Sequence, residues 1–332
     1  MAFLAYIGES LEGSDEEVER LLAPCLEAEL TRQPLTRHRW SLAWGPAVYK
    51  FALGELDDNM LYVVRDQADP ANLAIATRGT NAKAILDWLV EDFEVATQVP
   101  WPVGQPPRGA QISKGTSDGL RILLAMTAES GPAPQQTLAG FLATEATRLA
   151  PTPLSLDVTG HSLGGALAPT LALYLKDTQS SWDPAGNATL AVTPLAGPTA
   201  GNAAFAGYSD ERLRGAVDRL HNPLDVVPLA WNVTTMKTIA DLYEPLTRAD
   251  APLRAAIDLA CDTVRTKGYS QIDAGAPPLP AKLFDGEPTF LGQVGWQHTC
   301  GYRCALGLTG STFLPVTMDC KTVPPPPCPS CP

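Results

Sequence analysis

The sequence of 332 residues predicts an α/β fold. Three observations lead there. Leu154, Leu156 and Val158 alternate with polar neighbours as in a half-buried strand, and residues 166–176 follow as a run of helix formers. Residues 216–220 form a second strand-like stretch that ends at an Asn222-Pro223 turn. Hydrophobic residues make up 45% of the chain, and no Gly/Ser linker divides it, so one core is expected. The reading is a single domain over 1–320 with an N-terminal helical region at 1–50, then a Pro/Cys-rich tail at 321–332.

Taken in order, residues 15–30 read as a charged amphipathic helix with Val18, Leu21, Leu22 and Cys25 or Leu26 on its apolar side. Residues 81–94 set Ile85, Leu86, Trp88, Leu89, Val90 and Phe93 among acidic residues at mixed helical spacing. Residues 100–107 are a stiff proline loop around Trp101. The helix at 166–176 contains Pro169, which removes a backbone donor and should kink or open its second turn. The last residues, from Thr322, are too rich in proline for a helix or central strand and should lie extended.

The junction of strand and helix carries the chemistry. Gly160-His161-Ser162-Leu163-Gly164 is a G-x-S-x-G turn, the setting in which a serine is held at the top of a sheet as a nucleophile. The flanking glycines have a steric role, since the turn leaves no space for side chains beside the serine. A hydroxyl needs a histidine to take its proton and a carboxylate to orient that histidine. The chain has four histidines, His38, His161, His221 and His298. His161 adjoins the serine and should point away from its Oγ, as a packing or hydrogen-bonding residue of the turn. Triads built on such a turn run serine, acid, histidine along the chain, which selects His298. Asp225 is the best-placed acid, because residues 226–231 are apolar and would bury its flank. Asp241, Asp250, Asp258 and Asp262 fall in a polar-faced, helix-like region and read as solvated.

Charge and cysteine usage bound the rest. With 24 basic residues against 36 acidic ones the net charge is −12, which disfavours nucleic-acid binding and gives no polybasic signal for anionic membranes. No stretch is long enough to span a bilayer, and the N-terminus lacks the basic start of a signal peptide. A soluble protein is expected, secreted if a leader was removed and cytoplasmic otherwise. Of the seven cysteines, Cys300, Cys304, Cys320, Cys328 and Cys331 crowd the C-terminal region, which suits disulfides better than a zinc site. The chemistry above needs no metal and no organic cofactor.

Four separated segments, in order, resemble the class 3 lipase family. They are Ile75-Ala-Thr-Arg78-Gly79-Thr80 with Asp87-Trp88, the serine turn from Thr159, Gly197-Pro198-Thr-Ala-Gly201-Asn202-Ala-Ala-Phe205, and Asn222-Pro-Leu-Asp225. His298 with Tyr302 fits the family's terminal histidine segment, whereas residues 112–117 lack the histidine that the family often has before the glycine preceding its next helix. The resemblance implies the α/β-hydrolase fold, with a mostly parallel central sheet flanked by helices. It also implies an oxyanion hole made by the N–H and hydroxyl of Thr80 and the N–H of Leu163. For function it implies a serine-dependent hydrolase of carboxylic esters, with acylglycerols as the first substrate choice, an acyl-enzyme on Ser162 and action at a lipid–water interface. In fungal relatives the element corresponding to residues 81–94 moves aside as a lid, while an ordinary packed helix is the simpler alternative here. Other open readings are a carboxylesterase of soluble short-chain or aromatic esters, a phospholipase A1, and a non-catalytic lipid-binding or interaction module. Oligomeric state stays open.

Overall fold

A computed structural model describes residues 1–8, 11, 13–32, 36, 38–49, 59–78 and 94–308. In chain order the strands are β1 (Trp40–Tyr49), β2 (Asn59–Asp66), β3 (Asn72–Thr77), β4 (Gln98–Pro100), β5 (Gln111–Ser113), β6 (Ser155–His161), β7 (Thr189–Leu195), β8 (Gly201–Asn202) and β9 (Tyr269–Ser270). The principal helices are α1 (Asp15–Arg32), α2 (Lys114–Ala125), α3 (Leu138–Leu149), α4 (Leu163–Asp177), α5 (Ala203–Arg212), α6 (Ala251–Val264), α7 (Phe290–His298) and α8 (Cys300–Ala305).

The central sheet has the order β1-β2-β3-β6-β7. Its β1-β2-β3 part is antiparallel and its β3-β6-β7 part parallel, so the sheet is mixed rather than mostly parallel. Chain length between strands explains this correction. Only residues 67–71 separate β2 from β3, too short a link for the crossover that parallel neighbours require, whereas β3 reaches β6 by way of α2 and α3. The N-terminal region is also not helical throughout. Among its described residues the helical stretches are a short 3-10 turn at Leu4–Tyr6 and α1, and the aromatic and β-branched residues of Trp40–Tyr49 take up the edge strand β1. Residues 216–220 join the parallel edge through single bridges, Val217 to Val192 and Leu220 to Leu195.

Both sheet faces are covered, which the period of two in β2 makes visible. Leu61 and Val63 belong to the cluster that includes Leu167 and Leu171 of α4, while Met60, Tyr62 and Val64 pack with Leu22, Leu26 and Leu30 of α1. Each such leucine, fully buried, contributes about 1.5–3 kcal/mol of hydrophobic stabilisation. Within the stripe expected on α1, Val18, Leu22, Cys25 and Leu26 are buried and Leu21 is only partly so. A third cluster gathers Val226, Val227, Trp231, Tyr243, Val264, Phe290 and Val294 beside the loop that carries Asp225.

Helix α4 continues without a break across Pro169, which is buried. Its approach to the sheet depends on glycine. A Cβ at Gly165 would lie 2.2 Å from the Leu195 carbonyl oxygen, and one at Gly197 would lie 2.5 Å from the Gly165 backbone. Cys25, Cys300 and Cys304 are disulfide-bonded, and Cys261 is a buried free thiol. Cys300 and Cys304 are therefore not zinc thiolates. Among the described residues no group of three His, Cys, Asp or Glu side chains is arranged to hold a metal ion. No described helix is long and apolar enough to cross a membrane.

Candidate active site

Strand β6 ends at His161, and α4 begins at Leu163, so Ser162 alone makes the turn. Its backbone sits at φ 62°, ψ −127°, a sparsely populated conformation that costs on the order of 1–3 kcal/mol in a residue with a Cβ. The turn is over-determined by its neighbours. The Ser162 N–H donates to the Leu195 carbonyl at 3.1 Å, and the Gly165 N–H donates to the Ser162 carbonyl at 2.8 Å. A Cβ at Gly160 would stand 2.2 Å from the Gly164 carbonyl oxygen, which explains the glycine on that side. Leu163 occupies the first position of α4, where an N–H has no carbonyl one turn back to bond.

The acid and the histidine meet in the interior. Asp225 and His298 are fully buried, with His298 Nδ1 2.8 Å from Asp225 Oδ2. Because the carboxylate accepts, Nδ1 donates and Nε2 is left with its lone pair. Nε2 is buried and has no hydrogen-bond partner among the described residues. Tyr302 donates its hydroxyl to Asp225 Oδ2 at 3.1 Å and accepts from the Asn222 N–H at 2.9 Å, while the Val227 N–H donates to Oδ1 at 3.0 Å. Burial, reinforced by the adjacent Asp225, pushes the Tyr302 phenol well above its ordinary pKa and keeps it a donor. Asn222 ties the acid loop to α7 by donating to the carbonyl and side-chain oxygens of Gln297 at 2.9 and 2.8 Å.

His161 links this pair to the serine turn. Its ring lies 4.6 Å from that of His298, centroid to centroid, and its Nε2 is 2.8 Å from the His298 carbonyl oxygen. Burial, with His298 beside it, holds the imidazole well below its ordinary pKa. The expectation of a hydrogen-bonding turn residue holds. The remaining histidines lie elsewhere. His38 is exposed and hydrogen-bonded to the Thr31 carbonyl, and His221 is lowered to about 4 by burial and by Arg219. The rival acids are spoken for or solvated, since Asp241 pairs with Arg254, Asp250 caps α6, and Asp258 and Asp262 are exposed.

Thr80 and residues 81–93 of the candidate lid lie outside the described residues. The tryptophans of the two apolar loops are both packed into the interior. Trp101 is buried, packs on Phe205 and donates Nε1–H to Asp177 at 3.0 Å, and Trp231 is buried in the third cluster. Sequence reasoning missed Tyr6, whose hydroxyl reaches His161 Nδ1 at 3.1 Å and the His161 carbonyl at 3.0 Å. Nothing in the spacing of residues 1–8 ties them to a strand end so far along the chain.

A family model described as Lipase (class 3) matches residues 74–234. Among solved structures, M37 lipase is 33% identical, with 93% of this chain and 91% of that one covered at a TM-score of 0.86. A lipase from Rhizopus microsporus var. chinensis is 20% identical over 59% of this chain and 57% of that one, with a TM-score of 0.41. The triacylglyceride lipase of Rhizomucor miehei is 23% identical over 57% and 61%, also with a TM-score of 0.41. No curated protein matches the chain.

Proposed function

The chain belongs to the class 3 lipase family, and from that premise we propose that it hydrolyses carboxylic esters through an acyl-enzyme on Ser162, with acylglycerols as its first substrate class. The observation that carries the reading is the buried bond of 2.8 Å between Asp225 and His298, which leaves a histidine Nε2 lone pair unengaged beside the serine turn.

In this reading Ser162 Oγ attacks the ester carbonyl carbon while His298 Nε2 accepts its proton. Asp225 fixes the tautomer and stabilises the histidinium, and its three donors hold it in place. The carbonyl oxygen becomes an oxyanion, met by the N–H of Leu163 and by the N–H and hydroxyl of Thr80, each donor lowering the barrier by about 3–4 kcal/mol. Collapse expels the alcohol with the proton from His298. A water then gives its proton to His298 and attacks the acyl-serine, releasing the acid. No step calls on a metal or cofactor.

The test is hydrolysis of p-nitrophenyl esters from short to long acyl chains and of emulsified triglyceride, with wild type and Ser162→Ala side by side. Activity confined to the wild type, rising with chain length and on the emulsion, supports a lipase. Activity confined to short soluble esters moves the assignment to a carboxylesterase. Equal rates in both proteins overturn Ser162 as the nucleophile.

A further inference from the structure

We infer that Tyr6 and His161 are positioning residues for the general base, acting through the main chain of His298. The inference rests on the reading of His298 as that base. It begins with a carbonyl, which can only accept. Since His161 Nε2 stands 2.8 Å from the His298 carbonyl oxygen, Nε2 carries the ring proton. Burial keeps this imidazole neutral, so Nδ1 has only a lone pair to offer. The Tyr6 hydroxyl, 3.1 Å from Nδ1, is therefore the donor there, and its proton is shared with the His161 carbonyl 3.0 Å away. One arrangement of protons satisfies the whole row.

The row acts where the base needs it. His298 is the last residue of α7, at the end of a helix where carbonyls outrun the available helical donors. Its ring is held at Nδ1 by Asp225, and its main chain is held by His161. The His161 ring is itself boxed by Phe3 at 5.0 Å, Tyr6 at 5.7 Å and Tyr302 at 5.8 Å between centroids. Residues 1–8, which lie outside the matched family segment, thus brace the residue that takes the proton.

The experiment compares wild type, Tyr6→Phe, His161→Leu and His161→Gln for kcat and KM on p-nitrophenyl butyrate and for phosphonylation of Ser162 by a fluorophosphonate. Loss of the tether should lower kcat and labelling about 10- to 100-fold in His161→Leu, the scale of a misplacement of about 1 Å, with KM little changed. His161→Gln, whose amide can still donate to the carbonyl, should recover most of that loss. Tyr6→Phe removes one hydroxyl without changing shape and should lose kcat in the same sense by a smaller factor. It decides the matter if His161→Leu does not fold. Variants that match the wild type in kcat, a loss confined to KM, or no recovery in His161→Gln would overturn the inference while the hydrolase reading stood. A wild type that cleaves no ester and takes no label would overturn both.

Discussion

At the scale of single residues, Ser162 holds a strained backbone conformation that its turn imposes. Its positive φ marks the one-residue turn between β6 and α4, where the serine is buried, and the strain is retained by surrounding bonds. Ser162→Gly should therefore abolish hydrolysis and raise unfolding stability by about 1 kcal/mol relative to Ser162→Ala, which keeps the Cβ and the strain. Denaturant melts of the two variants check this, and equal midpoints would refute it. Asp225→Asn should leave the fold intact and lower kcat by about 10⁴-fold, since an amide donor opposite Nδ1 favours the wrong tautomer. Steady-state rates on a soluble ester measure the loss. The strand-to-helix turn at Ser162 was legible from local pattern, and the pairing of Asp225 with His298 from their order along the chain. Tyr6 was not, because its partner is far away in sequence and is fixed only by the packing of residues 1–8.

At the scale of elements, what was legible was what is local. The strand β6 and helix α4 follow from periodicity, and the apolar side of α1 from its spacing. The sheet's mixed character was not, because strand direction depends on how far the chain travels between partners rather than on the residues within a strand. Pro169 illustrates a related limit. Propensity argues for an interrupted helix, yet α4 packs against both α2 and the sheet and stays helical throughout. That packing yields a sharp test at Gly165. A methyl there meets the Leu195 carbonyl oxygen at 2.2 Å, backbone against backbone, with no side chain able to give way. Gly165→Ala should lower stability by several kcal/mol, about the upper range for point substitutions, and should displace the serine turn with it. Gly207, with nothing within 4 Å of its added Cβ, is the control, and Gly207→Ala should be neutral or stabilising. Thermal melts of both variants read the contrast.

At the scale of the whole molecule, titration of buried groups sets the pH range in which the fold survives. A histidine in the unfolded chain binds its proton near pH 6.5. Folded His221 does so only at about 4, because burial and then the nearby Arg219 charge oppose protonation. Between those values the unfolded state binds the extra proton, so the histidine's contribution falls as pH drops through the window. His161 has the same sign, from its burial and the neighbouring His298. Carboxylates act on both sides. Asp66, lowered by its bond to Arg39, loses its stabilisation as pH falls below the usual carboxylate range, whereas Glu19, Asp157 and Asp210, raised by burial, take up protons first in the folded state. The net slope for the wild type mixes these terms, and a difference removes them. His221→Gln deletes one titrating group and leaves the others, so its melting temperature relative to wild type should be constant above pH 7 and rise steadily from about pH 6.5 down to 4. Calorimetric scans across that range test it, and a difference that stays flat through the window would mean that His221 ionises in the folded protein as readily as in the unfolded chain.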